Sequence, residues 1–181
     1  MASIDQEAMD QLLAQHAVPD HRWLHPSDIT TAQWVRMKCM YGCPEYGHRA
    51  CCPPSTPSVA ECRAFLDDYS NALILHFARK VDHPRDRHAW TREVNTGLLA
   101  LERDVFLAGF PKAFLLFLDS CNLCQDCAPR RGGCTDPQRM RPSPEAMAID
   151  VFGTARRAGL PIEVLRTTSD EMNRYAFLLV D

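Results

Sequence analysis

Two cysteine-rich stretches constrain this chain more than any other feature. The segment CNLCQDCAPRRGGC (121–134) holds four of the nine cysteines, and CMYGCPEYGHRACCPP (39–54) holds four more. Thiols this dense point to an iron–sulfur core or a metal ion, with disulfides or free thiols as the remaining readings. An odd cysteine count fits poorly with a fully paired disulfide framework. The amino-terminal stretch MASIDQEAMDQLLAQHA has acidic residues and no unbroken apolar run, so it does not read as a secretory signal, and the expected location is cytoplasmic. In a reducing compartment clustered cysteines bind metal or do redox work.

Spacing separates the metals. Cys121, Cys124 and Cys127 follow one another at intervals of three. A short chain winding around a cuboidal cluster can give one thiolate to each of three iron corners at this spacing, with the fourth ligand from farther away. Cys134 can be that ligand, or it can serve a second cluster. A single zinc ion suits the pattern less, because structural zinc takes two cysteines from one knuckle and two ligands from another segment. In the first stretch Cys39, Cys43 and Cys52 are the readily assigned ligands. The fourth is open among Cys51, Cys62, Cys134 and a group from outside the protein. Adjacent side chains diverge, so Cys51 and Cys52 are not expected to bind one small centre together. Gly42 and Gly47 let the backbone curl, and Pro53 and Pro54 stiffen the exit.

Other groups have plainer readings. Cys62 falls on the apolar stripe of an expected helix, where cysteine acts as a small hydrophobe. His48 reads as a solvated loop residue, and His16, His21, His25, His76, His83 and His88 show no metal spacing. Arg36, Lys38, Arg130 and Arg131 flank the cysteines as surface charges or as offsets to cluster charge. Trp23, Trp34 and Trp90 read as packing anchors, and Met140 and Met147 as core fillers. No G-x-S-x-G, phosphate-binding G-x-x-x-x-G-K-[ST] or G-x-G-x-x-G motif occurs.

The rest of the chain reads as a soluble α/β protein. It is 46% hydrophobic and 24% charged with net charge −3, so neither nucleic acid nor a membrane is an expected partner. Helices are expected over 3–16 (stripe Ile4, Ala8, Leu12), 55–69 (Thr56 as cap), 84–109 (ended by Gly109) and 144–158 (Ser143 as cap). Residues 31–39 are ambiguous between helix and strand, and 39–57 form a loop. Strands are expected over 71–79, 112–119, 161–166 and 174–180, the last two as a hairpin. The strand–helix–strand unit 71–119 suggests two parallel neighbours, with the second cysteine loop at the carboxyl end of the second strand. The expectation is therefore an α/β (or α+β) fold. It would be a single compact domain over 1–181, with a small mixed sheet of about four strands, helices packed on it and two cysteine loops.

The segments VRMKCMYGCPEYGHRACCPPSTPS and CNLCQDCAPRRGGCTDPQRMRPSPEAMAIDVFGTARRAGLPIEV resemble the DUF2284 family, described as predicted metal-binding proteins. The signature is C-x3-C with C-P-P, then C-x2-C-x2-C-x6-C and RPS-x-EA-x-x-ID, and the resemblance spans nearly the whole chain. It implies cysteine-bound metal, with iron–sulfur as the expected form. The matched positions are Cys39, Cys43, Cys52, Cys121, Cys124, Cys127 and Cys134, one short of two four-cysteine sites; Cys51 departs from the pattern as a spare thiol. The leading expectation is an iron–sulfur protein with one or two [4Fe-4S] clusters that passes electrons to a redox partner protein. The alternatives are an enzyme that uses an open iron for sulfur transfer or reductive chemistry, and a zinc-stabilised adaptor.

Overall fold

The structure is a computed structural model that describes residues 5–181. Asp5 opens α1 (Gln6–Gln15), its carboxylate accepting from the N–H groups of Glu7 at 3.1 Å and Ala8 at 3.2 Å. The helix buries Met9 and Leu13, so its apolar face is rotated from the expected one: Ala8 is exposed, Leu12 half-buried, and Ile4 lies outside the described residues. An edge strand β1 (Asp20–Leu24) follows, then α2 (Gln33–Gly42) and α3 (Val59–Asp67). The ambiguous stretch is thus helical, and Cys39 stands in the last turn of α2 rather than in a loop. The start of α3 is a capping box between Ser58 and Glu61, which displaces Thr56 from the expected cap. Next come β2 (Ala72–Arg79), the long α4 (Arg87–Leu107), β3 (Phe114–Leu116), α5 (Val151–Arg157) and β4 (Met172–Leu179).

The four strands are ordered β1-β2-β4-β3, and every pairing is antiparallel. The strands β2 and β3 run parallel to each other, but they are not the neighbours the sequence suggests, because β4 lies between them. That insertion also removes the expected carboxyl-terminal hairpin. With both edges of β4 taken, residues 161–166 do not pair with it, and they run as coil with Ile162 buried and Val164 71% exposed. The expected helix 144–158 is split. Ala148 adopts φ +60 after a short 3-10 turn (Glu145–Met147), and its carbonyl accepts from the Ala32 N–H at 2.8 Å. The helix restarts at Asp150, which caps the Gly153 N–H at 2.9 Å; a Cβ at Gly153 would collide with that carboxylate.

Alternation along the two central strands feeds two cores. Leu73, Leu75 and Phe77 of β2, with Ala176 and Leu178 of β4, pack under α1 and α4 against Met9, Leu13, Leu98, Leu101 and Val105. Ala72, Ile74, Phe177 and Leu179 face the opposite layer with Cys62, Leu66, Val151 and Ala155 of α3 and α5.

Candidate metal centre

The second cysteine loop leaves β3, and α4 positions it. Thr91, Asn95 and Glu102 are polar yet buried along one face of this helix. The Asn95 amide donates to the Leu118 carbonyl at 3.1 Å and accepts from the Leu118 N–H at 2.9 Å. Asn122 donates to the Thr91 hydroxyl at 2.7 Å and to the His88 carbonyl at 3.1 Å, and Arg92 donates to the Asn122 carbonyl at 2.7 Å. Cys121 is held between these anchors. At the far end of the loop Arg141 meets Glu102 in a forked ion pair at 2.8–3.1 Å, while Glu102 also accepts the Leu115 N–H at 2.8 Å. The Phe117 N–H, donating to Pro142 O at 2.9 Å, closes the base of the loop. None of these polar anchors stands out from periodicity, because each occupies a position that an apolar residue would fill on the same helix face.

Cys121, Cys124, Cys127 and Cys134 line one small cavity, and Cys51 of the first stretch lines it with them. Cys51 is 4% exposed and lies against Cys121. The neighbouring Cys51 thiol draws the Cys121 pKa down to about 6, against the effect of burial and with help from the Leu123 and Arg141 N–H groups and the Arg49 charge. The same contact pushes Cys51 up, so the shared proton is favoured on Cys51. The remaining contacts are local: Cys124 Sγ lies 3.4 Å from Thr135 Oγ1, and Cys127 Sγ lies 3.5 Å from the Ala128 carbonyl.

Cys52 lines neither that cavity nor the groove at Cys39 and Cys43. Cys39 feels the charges of Cys43 and Cys52, and its pKa is raised, first by burial and then by Cys43 and Glu145. The Cys52 thiol is lowered chiefly by Cys51. Consecutive residues thus differ: Cys51 faces Cys121 and lines its cavity, whereas Cys52 does not line it and lies within electrostatic reach of both Cys39 and Cys121. Arg49 stands between the groups, paired to Glu45 at 2.6 Å and near Cys52 and Cys127, a role with no spacing signal in the sequence. Gly47, at φ +76, turns the loop so that its N–H reaches Pro53 O at 2.9 Å. Cys39 and Cys43 open onto a groove of about 820 Å³ that Trp34, Tyr41, Glu145 and Phe152 also line. Trp34 is 48% exposed there with Lys38 stacked 5.3 Å from its ring, so it is not the packing anchor expected of it, because it sits on the outer face of α2.

Several flanking residues resolve plainly. Arg36 is a buried clamp, donating to Thr56 Oγ1 at 2.9 Å and to the carbonyls of Pro57 and Ala146 at 3.0 Å, which ties α2 to α3 and to the 3-10 turn. Cys62 is fully buried in the opposite core layer, its thiol 3.6 Å from the Pro57 carbonyl. His48, Lys38, Arg130 and Arg131 are exposed. Among the described residues no three Cys, His, Asp or Glu side chains converge on a single point as one ion would require. The donor chemistry nonetheless suits a thiophilic metal group: one loop brings four thiols around a shared cavity with a thiolate already favoured at Cys121.

The fold and its thiols define a small α/β protein with eight cysteines gathered in two adjoining groups. The family model for DUF2284, described as a predicted metal-binding protein, matches residues 22–180, and the chain belongs to that family. No curated protein and no solved structure matches it. No helix among the described residues is long and apolar enough to cross a membrane.

Proposed function

We propose that this is a cytoplasmic two-cluster iron–sulfur protein that passes electrons to a redox partner protein. Cys39, Cys43 and Cys52 would hold one [4Fe-4S] cluster, and Cys121, Cys124, Cys127 and Cys134 the other. The observation that carries this reading is the set of four second-loop cysteines around one cavity, with Cys51 of the first stretch beside them, while Cys39 and Cys43 open onto a separate groove. When bound, such clusters supply one-electron redox chemistry. The chain's own residues do the rest. Asn95, Asn122 and the Glu102–Arg141 pair fix the second loop, Arg49 offsets thiolate charge between the groups, and the Met9–Leu98 core layer keeps water from Cys51 and Cys121.

Iron and acid-labile sulfide per chain, measured on anaerobically prepared protein, test the proposal. About eight irons and a reversible paramagnetic signal after dithionite are expected, since each cubane holds about four. Colourless protein with stoichiometric zinc would overturn it in favour of the zinc-stabilised adaptor.

A further inference from the structure

A cavity of about 390 Å³ lies outside both thiol groups, and three arginines line it. Arg87 is the first residue of α4, Arg166 belongs to the coil before β4, and Arg174 stands in β4. Val81, Leu165 and Met172 supply an apolar wall. Among the described residues, none of those lining it is acidic. Three guanidiniums facing one space repel one another, in a chain whose net charge is −3.

Their donors are poorly answered within the protein. The Arg87 Nε–H is buried without an acceptor among the described residues. Arg174 Nε lies 3.0 Å from Asp119 Oδ1 without hydrogen-bond alignment, so this buried N–H also lacks an acceptor, as does Asp119 Oδ2. The remaining Arg174 contacts are long, 3.3 Å to the Asn173 carbonyl and 3.7 Å to the Met172 sulfur. Asp170 is within electrostatic reach of Arg166, but its carboxylate already accepts the N–H groups of Arg166 and Thr167 at 2.7 and 3.0 Å and the Thr167 hydroxyl at 2.7 Å. A buried N–H without an acceptor is costly, and an oxyanion in the cavity removes that cost.

We propose that this cavity binds a small phosphate monoester. A single guanidinium fork already matches the two oxygens of a carboxylate, whereas guanidiniums from three separate segments suit the three terminal oxygens of a phosphate. Bare phosphate leaves Val81, Leu165 and Met172 uncovered, so the ester's organic part is apolar and rests against them. Asp119 competes with the phosphate for Arg174. The site is independent of the iron–sulfur reading and uses none of the cysteines.

The test is calorimetric titration of the full anaerobic chain with phenyl phosphate, inorganic phosphate and benzoate, at one ionic strength held with sodium chloride. Phenyl phosphate is expected to bind more tightly than inorganic phosphate, and benzoate more weakly than either. Arg87→Gln and the exposed Arg166→Gln are each expected to weaken phenyl phosphate by about tenfold or more, the loss of a charge-assisted hydrogen bond. Arg103→Gln removes the same charge from a 75% exposed position near the other end of α4 and is expected to bind like the wild type. Asp119→Asn is expected to tighten binding, and its backbone, at φ +56, is one that asparagine tolerates. Absence of saturable phenyl phosphate binding, wild-type affinity in both Arg87→Gln and Arg166→Gln, or an equal loss in Arg103→Gln would overturn the site. Benzoate binding as tightly as phenyl phosphate would overturn the phosphate assignment.

Discussion

Asn95 holds Leu118 from both sides, accepting its N–H at 2.9 Å and donating to its carbonyl at 3.1 Å. One side-chain amide thus does for Leu118 what a neighbouring strand would do, just past the end of β3 and just before Cys121. Replacing Asn95 with Ala leaves two buried backbone groups without partners, each worth about 1–3 kcal/mol. The expected result is a destabilisation of roughly 2–4 kcal/mol, read as a lower urea midpoint at unchanged slope, together with weaker iron retention.

Glu102 is 6% exposed and satisfies both Arg141 and the Leu115 N–H. Glu102→Ala strands a half-buried guanidinium and a buried donor. Breaking such a pair from one side costs about 3–5 kcal/mol. Thermal melts of Glu102→Ala and of Glu102→Ala/Arg141→Met separate the pair from its desolvation: the double variant is expected to recover part of the loss.

Cys51 and Cys62 are both buried, yet different consequences are expected of them. Cys62→Ser keeps a donor that can reach the Pro57 carbonyl, so a cost of about 1 kcal/mol and unchanged iron content are expected. Cys51→Ser removes the thiol that lies against Cys121 and lines the second cavity. Loss of iron or an altered spectrum is expected there, and metal analysis of the two variants side by side checks it.

Tyr69 and Tyr175 donate to the carbonyls of Lys112 and Pro161, and burial pushes both phenols up to about 12. A raised folded-state pKa means the unfolded chain gives up these protons first as pH rises. Their contribution is complete below the ordinary value near 10 and is lost as pH climbs from 10 toward 12. Denaturation midpoints across that range should fall, and Tyr69→Phe with Tyr175→Phe should flatten the fall.

Sequence patterning reached the elements with strong apolar periods. The helix stripe Trp90, Leu98, Leu101 and Val105 and the buried run of β2 are where the spacing puts them. Pairing was less legible, because β2 and β3 look alike whether or not another strand lies between them. The strand β1 gives no strand signal, since DHRWL, an edge strand, carries no unbroken apolar run. At the site, the two cysteine loops announce themselves by spacing. The allegiance of Cys51 does not, since its contact with Cys121 is tertiary. Arg49, Asn95 and Glu102 were silent for a related reason: their tasks are tertiary, and nothing in their immediate neighbours encodes them.

The insertion of β4 has a temporal side. During synthesis β3 and the thiols after it emerge before the strand that pairs with them, because Phe114, Leu115 and Leu116 find their ladder partners only at Leu179, Leu178 and Phe177. Until the ribosome has passed Leu179, the base of the second loop has α4 and its own Phe117–Pro142 bond but no strand partner. On the two-cluster proposal, loading of that loop would follow translation of the last strand, and a nascent chain stalled before Met172 would present its sulfurs on an unfinished platform.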